Sequence, residues 1–476
     1  MTPDEFRRAG HDLIDWIADY RERVARAEFP VMARTKPGAL RAALPESPPQ
    51  QPEPFEAVRR DLDALILPAC THWQDPRFHG FFPSNGLPAA VLADLVSTGL
   101  GQLGLNWQAS PALTELEEVC LEWWRQMLGL SQHWTGVIQD TASTATLVAL
   151  VCARERATSH SAVRGGLQQQ PAPLVVYVSS QAHSSVAKAA LLAGFGRDNV
   201  RAIPVDENFD LDVTELDRAV AQDRADGREP CAIVATCGST ATTAFDPLSA
   251  IAAIAAREQL WLHVDAAMAG SAMIVPECRL LWSGVESADS LVVNPHKWLG
   301  VSFDCSTYFV RDPQFLIRVM STNPSYLQTA ADGQVKNYRD WGIPLGRRMR
   351  ALKLWFVIRE QGVSGLQARI RRDLEHARWL AAEVARTPGW KILAPVRLQT
   401  LVLRHEPPGL AAADLDSHTR TWAQDVNDSG EAYLTPTLIT DRWAVRVSFG
   451  STATEHEHVV DLWRVIREKS AVRQGA

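Results

Sequence analysis

Apolar residues along the chain change from a helical spacing to short continuous runs. Between residues 3 and 26, and again between 55 and 67, they recur every three or four positions, as in amphipathic helices. The proline-rich stretch 45–54 between these two segments cannot be helical. Two helices joined by an extended strap have apolar faces but no core of their own. We therefore predict that residues 1–85 form a helical arm for dimerisation.

From about residue 135 to 310, short apolar, β-rich runs alternate with alanine-rich helical segments. The predicted strands are residues 135–139, 174–178, 200–204, 231–236, 260–264, 290–293 and 305–310. Strands that are apolar throughout and separated by helices indicate a mostly parallel sheet with helices on both faces. Folds of this kind bind ligands at the carboxyl ends of the strands.

The last third of the chain mixes helical and strand-like patterns. We predict helices at 346–359, 366–386 and 455–468, and strands at 398–403 and 443–449. The sequence thus predicts an α/β fold with a seven-stranded sheet and a small C-terminal α+β domain. The predicted domains are 1–85, a large ligand-binding domain at 86–365, and 366–476.

Composition excludes several classes of protein. A chain of 476 residues that is 46% hydrophobic can form more than one core. Its net charge of −7 argues against a nucleic-acid partner, so we expect a small-molecule ligand. Seven cysteines without a C-x-x-C pair favour neither a metal site nor disulfides, which indicates reduced thiols and a cytoplasmic location. No apolar run is long enough to span a membrane.

Two predicted strands end in residues with complementary chemistry. Lys297 follows the strand at 290–293, and Asp265 follows the strand at 260–264. A lysine amine can hold the aldehyde of pyridoxal 5′-phosphate (PLP) as a Schiff base, while a carboxylate keeps the pyridine nitrogen protonated. The pair therefore indicates a PLP site.

Two further strand ends fit the same cofactor. Ala142 and Ser143 open a predicted helix after the strand at 135–139, and helix N-termini bind phosphate dianions. His183 opens another helix, where its ring can stack on the pyridine and lie close to the Cα of a bound amino acid.

With these residues in view, the chain resembles the aromatic-L-amino-acid decarboxylase family, the group II PLP-dependent decarboxylases of fold type I. The resemblance extends from Phe6 to about Ile466. It is carried by residues 106–112 (NWQASPA), 114–117 (TELE), 181–185 (QAHSS), 263–267 (HVDAA), 294–298 (NPHKW) and 343–348 (IPLGRR).

The resemblance implies a role for each site residue. Lys297 would form the Schiff base, Asp265 would pair with the pyridinium nitrogen, and His183 would stack on the ring. The phosphate end would be held by Ala142, Ser143, Asn294 and His296, and the ring would be lined by Thr240 and Ala267. The family also implies a homodimer with a mobile loop that carries Tyr326, our first choice for the proton donor to Cα.

The same resemblance suggests an aromatic substrate. Candidate pocket residues are Trp73, Phe82, Ser84, Leu103, Leu105 and Gly346. Most are apolar, as a slot for an aromatic side chain requires. Relatives acting on smaller phenolic or imidazole side chains often carry serine where Gly346 stands. We therefore favour tryptophan, followed by phenylalanine, tyrosine and DOPA.

The chain departs from the family pattern at four positions. Asp140 stands where relatives usually have glycine, and its carboxylate must face away from a phosphate or cap the helix. Phe81 replaces a common tyrosine, which removes a hydroxyl. Leu105 and Ser84 replace larger residues, phenylalanine and threonine.

Three alternatives remain open. An aromatic aldehyde synthase would decarboxylate and oxidatively deaminate its substrate, but relatives of that kind often have phenylalanine in place of Tyr326. An aminotransferase would need an arginine to bind the α-carboxylate, for which Arg446 is a candidate. An inactive scaffold is disfavoured because the lysine, acid, histidine and tyrosine are all present.

Arg347, Arg348 and Arg350 are interpreted as a solvated or interface helix face.

Overall fold

The structure, a computed structural model, describes residues 1–82, 84–322 and 324–471. Within it the chain divides into two compact units. One comprises Met1–Pro83, Arg378–Leu393 and Val402–Ala476, and the other comprises Ser84–Ala377 and Ala394–Leu401. The division into three domains stays a prediction.

The described helices are α1 (Pro3–Ala25), α2 (Ala39–Ala43), α3 (Phe55–Asp61), α4 (Pro88–Leu100), α5 (Pro111–Leu128), α6 (Ala142–Ala157), α7 (Ser184–Leu192), α8 (Val213–Ala225), α9 (Leu248–Glu258), α10 (Pro313–Met320), α11 (Ala351–Arg386), α12 (Leu415–Ser429) and α13 (His456–Lys469). None in the described part of the chain has the length and apolar character needed to cross a membrane.

A seven-stranded sheet forms the centre of the larger unit. Its strands are β1 (Thr135–Gln139), β2 (Leu174–Ser179), β3 (Val200–Ile203), β4 (Glu229–Thr236), β5 (Trp261–Asp265), β6 (Ser290–Val293) and β7 (Ser306–Val310). Their order is β1-β7-β6-β5-β4-β2-β3. Strand β7 is antiparallel to both of its neighbours, and the other pairs are parallel. The sheet predicted from the sequence is confirmed.

Burial explains why most of these strands are rich in apolar residues. Every residue of β2, β5, β6 and β7 is buried, so both faces of the sheet must be covered. Helix α6 packs on β1 and on β4 to β7, while α8 packs on β3 and β4, and α9 packs on β4 and β5. The sheet is therefore a rigid support for the residues that follow its strands.

The N-terminal helices match the predicted spacing. Helix α1 begins with a capping box in which Thr2 and Glu5 exchange hydrogen bonds between side chain and backbone. The second predicted helix is α-helical only to Asp61 and continues as a π turn and a 3₁₀ turn, the latter containing Pro68. The stretch 45–54 is not helical, as its prolines require.

A second sheet contains β8 (Trp390–Ile392), β9 (Thr400–His405), β10 (Thr435–Ile439) and β11 (Arg442–Ser448), in the order β10-β11-β9-β8. The sequence did not predict β8, β10 or α12. Strand β8 is only three residues long, and Pro436 within β10 argues against a strand when only the sequence is considered.

The prediction that residues 346–359 are helical is wrong at its start, since α11 begins at Ala351. The Arg347 carbonyl instead accepts a hydrogen bond from the Gly104 N–H at 2.9 Å, which keeps this stretch non-helical. Helix α11 is interrupted at Gly362, whose φ of 63° and ψ of 168° are non-helical, so the two predicted helical segments lie on either side of it.

Candidate active site

Five strands of the larger sheet deliver candidate residues to one edge. Because β7 is antiparallel to both β1 and β6, strands β1, β2, β4, β5 and β6 all run in the same direction. Their carboxyl ends lead to Ala142, His183, Thr240, Asp265 and Lys297 respectively. The topology therefore places these five predicted site residues along one edge of the sheet.

Lys297 lies in a tight turn after β6. Its N–H donates to the Asn294 carbonyl at 3.0 Å, and its own carbonyl accepts from the Gly300 N–H at 3.4 Å. In the stretch 290–301, which the structure describes in full, every residue is buried except Lys297, which is half-buried. The turn thus presents one amine from an otherwise buried segment.

Asp265 is the last residue of β5 and is only 7% exposed. Its Oδ1 accepts a hydrogen bond from the Ala267 N–H at 3.0 Å, and its carbonyl accepts from the Cys237 N–H at 2.9 Å. These bonds fix the orientation of a buried acid next to the predicted ring-lining residue Ala267.

His183 caps the N-terminus of α7. Its Nδ1 accepts from the Ser185 N–H at 3.2 Å and lies 2.7 Å from Ser185 Oγ. Partial desolvation lowers the pKa of His183, Asp265 opposes this shift, and Lys297 adds to it. Because both charges act on the imidazole, three of the four predicted catalytic residues lie near one another. The His183 side chain remains exposed, so a flat ring has access to it.

The candidate phosphate-binding residues include the start of α6. Ala142 and Ser143 are its first two residues, whose N–H groups have no carbonyl in a preceding turn to bond. Ser143 is exposed. The Asp140 carboxylate accepts from the Thr141 N–H at 2.7 Å, so it binds the backbone just before this helix.

Asn294 and His296 are both buried. Asn294 Oδ1 accepts from Ser306 Oγ at 2.6 Å, and His296 Nδ1 accepts from the Cys305 N–H at 2.9 Å. Burial lowers the pKa of His296 to about 3. The ring is therefore neutral and carries its proton on Nε2, so it can offer a phosphate an N–H but no positive charge. Thr240 is exposed on the loop that follows β4.

Three of the candidate pocket residues in the larger unit lie close together. The bond from the Gly104 N–H to the Arg347 carbonyl brings Leu103 and Leu105 next to Gly346. Leu103 is 58% exposed. A Cβ added to Gly346 would have no heavy atom within 4 Å, so this wall leaves open space.

Ser84, the fourth candidate pocket residue in the larger unit, bonds the backbone of the turn that carries Lys297. Its hydroxyl donates to the His296 carbonyl at 2.7 Å, directly before Lys297 in the chain. Its role in substrate binding stays a prediction.

Two more candidate pocket residues, Trp73 and Phe82, belong to the smaller unit. Trp73 stacks on Phe78 and Phe81, with ring centroids 4.6 Å and 5.8 Å apart. Phe82 is buried beside Gly450, where an added Cβ would lie 2.7 Å from the Phe82 ring.

Tyr326 lies in a 3₁₀ turn, Ser325–Leu327, and its side chain lies outside the described part of the structure.

The prediction that Arg347 lies on a solvated or interface helix face is wrong. Arg347 is 5% exposed, and its Nη2 bonds Glu117 Oε1 at 2.6 Å and the Ile138 carbonyl at 2.7 Å. Its guanidinium also lies over the Tyr338 ring. The sequence did not reveal the ion pair between Arg347 and Glu117, because these two residues are 230 positions apart.

The residues at this edge suit PLP. The half-buried Lys297 and the fixed, buried Asp265 both act electrostatically on the exposed imidazole of His183, and a helix N-terminus at the same edge suits a dianion. The model of the pyridoxal-dependent decarboxylase conserved domain matches residues 37–405. The chain belongs to this family. PLP is the cofactor of this decarboxylase, which is a carboxy-lyase.

Two relatives of this decarboxylase are named for aromatic amino acid substrates. The decarboxylase is 41% identical to the aromatic-L-amino-acid decarboxylase of Bos taurus, covering 99% of this chain and 97% of the relative. It is 39% identical to tyrosine decarboxylase 4 of Petroselinum crispum, covering 98% and 94%. The decarboxylase is thus a member of the aromatic amino acid decarboxylases.

Solved structures agree on the fold. The Oryza sativa TDC with PLP and tryptamine superposes with a TM-score of 0.95 at 36% identity, covering 99% of this chain and 98% of that chain. The Rhodiola rosea 4-hydroxyphenylacetaldehyde synthase superposes with a TM-score of 0.93 at 34% identity, covering both chains in full. The predicted fold type I is confirmed.

Proposed function

We propose that this enzyme removes the α-carboxylate of an aromatic L-amino acid, with tryptophan favoured, and releases CO₂ and an arylalkylamine. Phenylalanine, tyrosine and DOPA are further candidate substrates. The observation that carries the proposal is that Lys297, Asp265 and His183 lie at the carboxyl ends of parallel strands on one edge of the sheet, where both charges act on the imidazole. Relatives named as tyrosine and tryptophan decarboxylases support the substrate class.

PLP, when bound, supplies an electron-withdrawing ring that accepts the electron pair of the breaking Cα–carboxylate bond. Lys297 holds the cofactor. Asp265, fixed by the Ala267 N–H, provides the negative charge that keeps the pyridine nitrogen protonated. Ala142, Ser143, Asn294 and His296 hold the phosphate, with the neutral His296 contributing an N–H rather than a charge.

His183 and Tyr326 share the handling of the proton. The Nδ1 of His183 accepts from a backbone N–H, so the neutral ring carries its proton on Nε2. Tyr326 is the proposed donor to Cα, and His183 orients or relays that proton.

The preference for tryptophan rests on the space at Gly346. An indole is larger than a phenol, and the absence of a Cβ at this position leaves room beside Leu103 and Leu105. One methyl-sized difference changes selectivity by about 10- to 200-fold in an apolar pocket.

An aldehyde synthase is the second candidate, because the chain is 38% identical to the phenylacetaldehyde synthase of Arabidopsis thaliana. Tyr326 favours simple decarboxylation, because aldehyde synthases of the family often have phenylalanine at this position. The two activities differ in their products, since the synthase consumes O₂ and water and releases an aldehyde, ammonia and hydrogen peroxide with the CO₂, in place of the amine.

Arg446, the candidate for binding the α-carboxylate in an aminotransferase, already has partners within the protein. Arg446 is 2% exposed, and its guanidinium donates to the Phe81 carbonyl and lies 3.4 Å from Ser448 Oγ. Burial lowers the pKa of Arg446 to about 9. A side chain engaged in this way anchors the backbone at Phe81 instead of binding a substrate carboxylate.

We also propose that the enzyme is a homodimer. Helix α4 exposes an apolar stripe at Leu92, Leu95, Val96 and Leu100, each between 43% and 55% exposed. These positions share one face of the helix, and a stripe of this kind typically marks an interface. Sedimentation of the purified enzyme should give twice the mass of the 52.5 kDa chain.

The test of function is CO₂ release from tryptophan, DOPA, tyrosine, phenylalanine and histidine, with peroxide measured in parallel. We expect amine and CO₂ in equal amounts, the highest kcat/KM with tryptophan, and no peroxide. Stoichiometric peroxide would replace the proposal with the aldehyde synthase. Turnover that depends on an added keto acid would replace it with the aminotransferase.

A further inference from the structure

The turn that carries Lys297 is fastened to the rest of the larger unit on both sides. Three of its carbonyl groups, at alternate positions, accept hydrogen bonds from residues outside the turn. These bonds are His296 O from Ser84 Oγ at 2.7 Å, Trp298 O from Arg369 Nη2 at 2.7 Å, and Gly300 O from the Leu87 N–H at 2.8 Å. The backbone next to the predicted catalytic lysine is therefore held at each second residue.

Helix α11 contributes two of the contacts with Trp298. Besides the bond from Arg369 to the Trp298 carbonyl, the indole Nε1–H of Trp298 donates to Asp373 Oδ2 at 2.8 Å. Arg369 and Asp373 are four residues apart, so they lie on one face of the helix. One helix thus holds both the backbone and the side chain of the residue that follows Lys297.

These contacts are buried. Trp298 and Asp373 are 0% exposed, and Arg369 is 8% exposed. A Cβ added to Gly300, whose φ is 77°, would lie 3.4 Å from Arg369 Nη2, so the guanidinium also lies close to the far end of the turn. Buried polar groups require partners, and Trp298 supplies one for Arg369 Nη2 and one for Asp373 Oδ2, while Arg372 Nε lies 3.8 Å from Asp373 Oδ1.

We propose that Arg369 and Asp373 are positioning residues, which act through Trp298 to hold the amine of Lys297 in place relative to Asp265 and His183. The proposal rests on the function proposed for Lys297. It assigns a role in catalysis to α11, none of whose residues was a predicted site residue. Its physical basis is that a catalytic group must be held by neighbours whose own positions are fixed.

The test compares Asp373→Ala with Asp373→Asn in the full-length enzyme. Alanine removes the acceptor for the indole N–H, whereas asparagine keeps an oxygen there. We expect Asp373→Ala to lower kcat about tenfold with KM within about twofold, and Asp373→Asn to recover most of the loss. Arg371→Ala is the matched control, because Arg371 is on the same helix but pairs with Glu277 at the surface.

A second readout does not depend on activity. Hydrogen exchange of peptides covering residues 291–301, measured with and without PLP, should become about tenfold faster in Asp373→Ala, while the amides of β4 keep their protection. Arg369→Met, which removes the other contact, should show the same local effect. If Asp373→Ala does not fold, the hydrogen exchange and kcat of Arg369→Met and Asp373→Asn are compared instead.

The proposal is overturned if folded Asp373→Ala or Arg369→Met exchanges and turns over like the unchanged enzyme, or if Arg371→Ala has an equal effect. Borohydride reduction followed by peptide mapping separates this from a failure of the proposed function. Cofactor fixed to a different lysine would refute the role of Lys297, and the exchange data would still show whether α11 holds the turn.

Discussion

The backbone N–H of Ser185 donates to Nδ1 of His183 at 3.2 Å. A backbone N–H can only donate, so Nδ1 must accept and the neutral imidazole carries its proton on Nε2. The Ser185 hydroxyl, 2.7 Å from the same nitrogen, adds a second donor. Ser185 thereby selects the tautomer of the exposed ring that lies near Lys297 and Asp265.

Ser185→Ala should therefore change the pH dependence of the reaction more than substrate binding. Removal of the hydroxyl weakens the preference for one tautomer, and we expect kcat to fall about fivefold with KM within about twofold. The measurement is a kcat profile across pH. Ser184→Ala, at the exposed neighbouring position, is the control and should leave the profile unchanged. An unchanged profile in Ser185→Ala would contradict the role.

Lys297→Ala should abolish CO₂ release, since it removes the amine that we propose holds the cofactor covalently. The purified variant should also lose the cofactor label that borohydride fixes to the protein. Lys188→Ala, which removes an exposed lysine on α7, should retain both properties. Activity remaining in Lys297→Ala would show that the amine lies elsewhere.

Most strands of the larger sheet could be predicted because burial on both faces makes them rich in apolar residues, although the edge strand β3 is only partly buried. Lys297, Asp265 and His183 could be placed at its edge because each follows a parallel strand. The pattern failed where tertiary contacts decide the local structure. The non-helical stretch before Ala351 depends on Gly104, which is far away in sequence.

The contacts around the site were also beyond the reach of sequence patterns. Arg347 gives no sign in its local sequence that its partner is Glu117, and Asp373 gives no sign that it accepts from Trp298. Such pairs are set by the packing of separate elements. Ser185 differs only in that it lies two residues from its partner His183, at the start of α7.

Arg347→Ala should destabilise the protein strongly. It would leave the buried Glu117 carboxylate without its guanidinium partner, and breaking such a pair costs about 3–5 kcal/mol. The free energy of unfolding in urea measures this. Arg464→Ala removes an exposed pair with Glu468 and should cost no more than about 1 kcal/mol. A small effect in Arg347→Ala would mean that Glu117 finds another partner.

Acid should destabilise the protein through its buried histidines. Burial lowers the pKa of His263 to about 4, from an ordinary value of 6.5. Between these values the unfolded chain binds a proton that folded His263 does not, so stability falls as the pH drops from 6.5 towards 4. A shift of this size corresponds to about 3 kcal/mol.

His263→Gln should therefore flatten this dependence. The free energy of unfolding, measured at about pH 4 and about pH 7, should differ less in the variant than in the unchanged protein. His296 contributes with the same sign, so some dependence remains. His133→Asn, at an exposed position, is the control and should keep the full slope. An equal slope in His263→Gln would show that other groups govern acid sensitivity.

Gly346→Ser tests the basis of substrate choice. An added Cβ meets no heavy atom within 4 Å, so the serine should fold without strain and its side chain should occupy space left for the substrate. We expect kcat/KM for tryptophan to fall about tenfold relative to that for tyrosine. Gly10→Ser, where a Cβ also meets open space, is the control and should leave the ratio unchanged. If the ratio in Gly346→Ser stays constant, Gly346 does not border the bound side chain, and selectivity must come from other walls such as Leu103 and Leu105.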